Sequence, residues 1–101
     1  MSLASNFESE VSSGVVLVDF WAEWCPHCVS FMPHLDTLSS ELIGKAKVLK
    51  VNISEAEDLA HRFSVTSLPT FLIFKDGSVV DIVRGALNKI DLKRRVLDIV
   101  E

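Results

Sequence analysis

Two cysteines occur in the chain, three positions apart, in Trp24-Cys25-Pro26-His27-Cys28. With the first at the N-cap of a helix and the second one turn in, their Cα atoms would lie roughly 5.5 Å apart, within the span of a disulfide. The bond could then form and open without moving the fold. A helix N-terminus also sets unpaired N–H groups and about half a positive charge beside the first sulfur, which favours thiolate over thiol. Cys25 is therefore the candidate nucleophile, and Cys28, deeper in the helix, the resolving thiol. Two other uses of the pair stand beside this one: an inert buried pair, or half of a zinc site. Zinc takes four ligands, and His27, His34 and His61 fall on helical segments without a second cysteine pair, so no metal is expected. Dithiol redox chemistry is the reading that a Cys-x-x-Cys between a strand and a helix supports best.

Such a pair needs a strand to deliver it and a helix to hold it. Residues 15–20 are apolar except for Asp19, the pattern of a strand covered on both faces. Phe31, Leu35, Leu38 and Leu42 then recur on one face of a helix expected over 26–43, kinked at Pro33 and stopped at Gly44. Upstream, Ser5 to Glu8 fits a capping box and Phe7 pairs with Val11, so a short first helix should end at Ser13-Gly14. Downstream, residues 47–53 read as a second strand, and a capping box at Ser54 to Glu57 opens a helix burying Ala56, Leu59, Ala60 and Phe63. Strands at 71–74 and 79–83 flank Lys75-Asp76-Gly77-Ser78, a tight-hairpin signal, and should be antiparallel. Asn88 can cap a last helix with Leu92, Val96, Ile99 and Val100 inward and Lys93, Arg94 and Arg95 outward. The order is α-β-α-β-α-β-β-α. Right-handed crossovers make the first two strands parallel, in an α/β sheet with helices on both faces.

Within 101 residues, of which 49% are apolar, one buried core and a single domain over 1–101 are expected. Ten basic against fourteen acidic residues give a net charge of −4 with no basic stripe, so nucleic acid is not an expected partner. Neither a leader-like N-terminus nor an apolar run of membrane-spanning length is present, which points to a cytoplasmic protein without a membrane partner. Nothing demands more than a monomer. In a reducing compartment a lone cysteine pair serves catalysis more readily than structure.

Asp19 is the second residue of chemical interest. A carboxylate inside an apolar strand loses hydration, which raises its pKa and makes it usable as a base near neutral pH. Its titration would be coupled to that of the cysteines. The competing reading is an acid that is only buried and hydrogen-bonded. Trp24, beside Cys25, is expected to contact partners, whereas Phe20, Trp21 and Phe31 read as core. His34 and His61 read as helix-surface residues, and the acidic residues of 55–58 as charges favoured at a helix N-terminus.

Val18-Asp19-Phe20-Trp21-Ala22-Glu23-Trp24-Cys25, Leu68-Pro69-Thr70-Phe71, Lys75-Asp76-Gly77 and Gly85-Ala86-Leu87 occur in that order. With them the chain resembles the thioredoxin family over nearly its whole length. The resemblance implies a thioredoxin fold, with a central mixed sheet of four to five strands flanked by four helices, and a protein disulfide oxidoreductase. It makes Cys25 the nucleophile, Cys28 the resolving cysteine, Asp19 the proton acceptor for the resolving thiol and Lys50 the charge partner of Asp19. It makes Pro69 a cis-proline facing the cysteines, and Trp24, Thr66, Ser67, Leu68, Pro69, Gly85 and Ala86 substrate-binding residues. Pro26, Val65 and Leu87 extend that apolar surface. A cis Leu68–Pro69 bond would leave the flanking backbone unpaired, so that a substrate strand could add by main-chain hydrogen bonds. No bound cofactor is implied beyond the Cys25–Cys28 disulfide. Electrons would come from NADPH through a separate flavin-dependent thioredoxin reductase, and the other partners would be proteins carrying disulfides.

The chain departs from the family between the cysteines, where Pro26-His27 replaces the usual Gly-Pro. Pro-His is the DsbA-type dipeptide, and His27 can stabilise the Cys25 thiolate as a cation or N–H donor, making the disulfide more oxidising. Val29 stands where Lys is common, Ser67 where Gly is common, and the usual opening edge strand is expected to be very short or absent. Besides a reductant, a more oxidising oxidase or isomerase and a redox-silent binding module therefore remain as readings.

Overall fold

The alternation of side chains along β1 (Val15–Trp21) divides the protein into two layers of core. The computed structural model describes residues 3–85 and 88–101, excepting the side chains of 3–5. Val16, Val18 and Phe20 point to one face, where they pack with Val51, Leu72 and Phe74. Leu17 points to the other, with Phe71, Ile73 and Val83. Burial on both faces requires strands on either side and helices above and below. β1 pairs in parallel with β2 (Lys47–Asn52) and antiparallel with β3 (Thr70–Lys75), and β3 pairs antiparallel with β4 (Ser78–Arg84). The sheet order is β2-β1-β3-β4. Among the described residues there is no strand before β1.

Two helices cover each face. α1 (Leu3–Glu10) supplies Phe7 and α3 (Glu57–Arg62) supplies Leu59 to the first layer. There Phe7, Phe63 and Phe74 lie ring to ring at 5.6–5.7 Å. α2 (Pro26–Glu41) and α4 (Lys89–Val100) cover the second layer with Leu35, Leu38, Leu92 and Val96. Pro33 lies inside α2, where it has no N–H for the preceding turn. The helix continues past it because Leu35 and Leu38 are fully buried against the sheet. Leu42 is the C-cap and is itself buried, and Gly44, at φ +83°, turns the chain toward β2.

The helix starts differ from expectation. α1 begins at Leu3, so Ser5 lies within it rather than at its cap, and Glu8 pairs with Arg62 instead of turning back to the helix terminus. α3 begins at Glu57 with Ala56 as its N-cap and no side-chain cap. Asn52 is the reason: its Oδ1 accepts the Ser54 N–H at 2.9 Å and its carbonyl accepts the Glu55 N–H at 3.0 Å. The chain is thereby committed to a turn before the helix, and Glu57 and Asp58 supply the first-turn negative charge. Asn88 does cap α4, accepting the Asp91 N–H at 2.9 Å. On α4, Arg95 reaches both Asp81 oxygens at 3.0 Å and Lys93 reaches Glu41 at 3.5 Å, while Arg94 is exposed.

The β3–β4 hairpin turns on Asp76 and Gly77, both at positive φ (50° and 89°), as a two-residue hairpin loop of that hand requires. Asp76 also anchors the α1–β1 loop. Its N–H donates to the Gly14 carbonyl at 2.9 Å, and its Oδ1 accepts the Gly14 N–H at 2.8 Å.

Leu35 packs α2 against the sheet with no exposed surface. Leu35→Ala is expected to cost roughly 2–5 kcal/mol, read as a lower urea midpoint with an unchanged m-value.

Candidate active site

β1 ends at Trp21, and α2 starts five residues later at Pro26. The connection is short because Ala22, which has no exposed surface, packs beneath it and accepts the Cys25 N–H at 3.1 Å. Cys25 is the N-cap of α2, with extended backbone, and its Sγ accepts the Cys28 N–H at 3.2 Å. The sulfur thus occupies the place of a capping oxygen and receives one of the unpaired donors of the helix terminus. Pro26 at the first helical position forfeits only an N–H that would have had no partner. The Cys25 and Cys28 Cα atoms are 5.3 Å apart and the two residues form a disulfide. Cys25 retains 6% exposure and Cys28 none, so an incoming sulfur meets Cys25 first. His27 is exposed between them.

Asp19 lies on the same sheet face as Leu17, under α2, and is 1% exposed. Among the described residues its Oδ1 has no hydrogen-bond partner. Burial raises its pKa to about 7, against the opposing pull of the Lys50 charge. Lys50 is the register partner of Asp19 across the parallel β1–β2 pair. Its Nζ, however, is bonded to Asp36 Oδ1 on α2, at 2.9 Å. The charge of Lys50 therefore reaches Asp19 through space.

The loop 64–69 faces the cysteines. The Leu68–Pro69 peptide bond is cis and Pro69 is buried. Trp24, Cys25, Pro26, Ile53, Val65, Thr66, Ser67 and Leu68 line a shallow groove of about 320 Å³. Trp24, 68% exposed, stands between it and a neighbouring hollow of about 360 Å³ that includes His61. Backbone availability is one-sided. The Pro69 carbonyl accepts the Gly85 N–H at 2.8 Å, continuing the hairpin, so that flank is closed. Among the described residues, the N–H groups of Thr66, Ser67 and Leu68 donate to no protein acceptor, which leaves this stretch as an open edge. Ala86 and Leu87, named with Gly85 as part of the surface, lie outside the described residues. On the far side of the disulfide, His27, Phe31 and His34 face the start of α4 across a wider cleft of about 820 Å³.

A disulfide with one residue open to solvent, at the N-terminus of a helix that covers a buried carboxyl group, is a device for thiol exchange. The thioredoxin family model matches residues 2–98. The chain belongs to the thioredoxin family. Thioredoxin from Staphylococcus haemolyticus is 46% identical over 94 residues, covering 93% of this chain and 89% of its own length. That of Staphylococcus saprophyticus is 46% identical over 88 residues, covering 87% and 85%. Among solved structures, a thioredoxin variant from Halobacterium salinarum superposes with a TM-score of 0.90 at 29% identity, covering 100% of this chain and 88% of that one. Oxidised mitochondrial thioredoxin 3 from Saccharomyces cerevisiae gives 0.86 at 29% identity, covering 94% and 89%. The chain is a thiol–disulfide oxidoreductase acting on protein disulfides. As in other thioredoxins, the redox group is the cysteine pair itself.

Two residues of this thioredoxin site escaped the sequence reading. Ile53 lines both hollows beside Trp24 and is tied to β1 by its N–H, which donates to the Trp21 carbonyl at 2.9 Å. Its signal was its place at the end of a strand parallel to the one carrying Trp21. Asp36 is the other, an acidic residue eight positions beyond Cys28, and nothing local marks it as the partner of Lys50. No helix among the described residues is long and apolar enough to cross a membrane.

The Asp19 carboxyl ionises near pH 3.8 when exposed and near pH 7 in the folded protein. Between those values the folded state holds a proton that the unfolded state has lost, so stability falls as pH rises and levels off above about 7. A rise of about three pH units corresponds to about 4 kcal/mol. Asp19→Asn is expected to remove most of that slope, leaving the oxidised variant the more stable protein at pH 8. Urea unfolding of both proteins at pH 4 and pH 8 checks this.

Proposed function

We propose that this single thioredoxin domain, spanning 1–101, works as a cytoplasmic, monomeric reductant of protein disulfides. The observation that carries the reading is the asymmetry of the pair: Cys25 is accessible at the helix N-cap and Cys28 is closed behind it. In the reduced protein the Cys25 thiolate attacks one sulfur of a substrate disulfide, and the other substrate sulfur leaves as a thiolate that takes up a proton. Cys25 is now joined to substrate in a mixed disulfide. Cys28 gives its proton to the Asp19 carboxylate and attacks Cys25 Sγ. The internal disulfide forms, and the second substrate sulfur departs with the electron pair and is protonated. Two electrons have passed from the dithiol to the substrate. With ionisation near pH 7, Asp19 is divided between acid and base at the pH where the transfer must run.

The substrate strand lies in the Trp24–Leu68 groove, pairing with the open backbone of 66–68, with Thr66, Ser67, Leu68 and Pro69 on one side and Gly85 and Ala86 beyond. Recharging of the disulfide comes from NADPH through a separate flavin-containing thioredoxin reductase. Nucleic acid and membrane are not partners. Cys28→Ser is expected to accumulate the mixed disulfide with a model substrate, visible as a dithiothreitol-sensitive adduct. Cys25→Ser should give none, and both should reduce insulin no faster than the uncatalysed background. Undiminished insulin reduction by the two variants would sink the enzymatic assignment in favour of a binding module.

Pro26-His27 favours a second reading within the same chemistry, a more oxidising oxidase or isomerase. His27 is exposed beside the Cys25 thiolate, and any stabilisation it gives the reduced form raises the potential. Thioredoxin and DsbA lie near −270 and −120 mV, a gap of about 7 kcal/mol that one dipeptide does not span alone. The potential is expected between them. Equilibration against glutathione should show it, and replacing Pro26-His27 by Gly-Pro should move it toward the lower value. A wild-type potential at or below about −270 mV would mean that the scaffold sets it and the dipeptide does not.

A further inference from the structure

We propose that Asp36 is a positioning residue: by holding the Lys50 ammonium against α2, it limits how strongly Lys50 favours the ionised form of Asp19 and so tunes the resolving step. This rests on the reading of Asp19 as proton acceptor. The geometry begins with the sheet. Asp19 and Lys50 are register partners in a parallel pair, so their side chains leave the same face, the one carrying Leu17 and Val48 and covered by α2. A four-carbon stem gives the Lys50 ammonium a choice between the buried carboxyl beside it and the solvent margin of α2. It takes the margin, at 2.9 Å from Asp36 Oδ1, while Asp19 Oδ1 stays unpartnered among the described residues.

The physical reason is hydration. An ammonium is strongly hydrated, and the Lys50 and Asp36 side chains keep 42% and 67% of their surface exposed. A direct Lys50–Asp19 pair would have to be desolvated on both sides, at a cost that Coulomb attraction need not return. Asp36 is eight residues along α2 from Cys28, about 12 Å of helix, and acts on the site through Lys50.

No rival cation is free to replace Lys50 among the described residues that pack around Asp19. β3 places Phe71 opposite it, and from α2 the paired cysteines do not titrate while oxidised. On α4, Lys89 and Lys93 are held by Glu41 and Arg95 by Asp81, and Arg94, like His27 and His34 of α2, is turned to solvent.

The decisive measurement is the titration of the Asp19 carboxyl by carbon-13 NMR in the oxidised protein, where the thiols are locked in the disulfide. Asp36→Asn, by releasing the ammonium, should lower the midpoint by a few tenths of a pH unit, up to about 0.7. Lys50→Met should raise it, and Asp36→Glu should restore the wild-type value. On the Lys50→Met background, Asp36→Asn should move the midpoint by less than about a third of its effect in wild type, as expected when two residues act through one contact. An unmoved midpoint, or an equal shift with Lys50 absent, would overturn the inference. The pH profile of Cys28 attack on a preformed mixed disulfide should then move with the Asp19 midpoint. A moved midpoint with an unmoved profile would uphold the role of Asp36 and defeat that of Asp19 as proton acceptor.

Discussion

The bond from the Cys28 N–H to the Cys25 sulfur, at 3.2 Å, joins the redox group to the end of a helix, and the rest of the molecule is arranged so that this end stays in place. A sulfur can cap a helix only if the chain arrives in an extended conformation and then turns at once, which β1 and the buried Ala22 impose. The helix behind it must not roll. Leu35, Leu38 and Leu42, all without exposed surface, hold α2 to the sheet, and Leu92 and Val96 of α4 share that core. Pro33 removes one internal hydrogen bond from α2, a loss on the scale of one net hydrogen bond against three fully buried leucines. Packing outweighs it, and the helix runs on.

The same sheet carries a feature that packing alone would discard. A carboxyl group with one oxygen unpartnered among the described residues, in a strand closed on both faces, is an energetic burden once ionised. It is tolerated because the group can stay protonated up to about pH 7, and the proposed proton transfer draws on the same property. The margins of the sheet are managed with charge as well. β2, at one edge, exposes Lys47 and Lys50, paired to Glu10 and Asp36. At the other edge the Ile82 N–H of β4 is occupied by the Asp81 carboxylate at 2.9 Å, and a bulge lies between Ile73 and Phe74. Both devices discourage pairing with a further strand.

Much of this was legible because it is written in periodicity. The unbroken apolar run at 15–20 demanded cover on two faces, and the recurrence from Phe31 to Leu42 carried α2 through its proline. Asp76-Gly77 marked a turn that only positive φ allows. Where the reading erred, a competing contact had displaced the capping box: two residues upstream, Asn52 took the Ser54 N–H that Glu57 was expected to take, and across the fold Arg62 drew Glu8 away from its box. Asp36 and Ile53 were not legible for a related reason. Their importance comes from the register that sets residue 19 beside 50, and from the β2 end that lands beside Trp21, and neither is a pattern within one segment. The open backbone beside the cis bond was legible only in outline. The hairpin claims the Pro69 carbonyl, and what remains free is the stretch before it.

That one-sidedness bears on how substrates are chosen. A groove of about 320 Å³ with one exposed indole and, among the described residues, three free backbone donors has too little relief to read a long sequence. Main-chain pairing accepts almost any extended segment, and an interface of this kind falls with the small, transient ones. Weak docking is an advantage to the proposed exchange, in which the product must leave once Cys28 has closed the disulfide. Selection then passes from shape to chemistry. In the proposed reaction, a segment is a substrate if its own sulfur can reach Cys25 while its backbone lies along 66–68, and if that disulfide is the better electron acceptor. On that proposal the potential of the Cys25–Cys28 pair decides more about partners than the surface around it does.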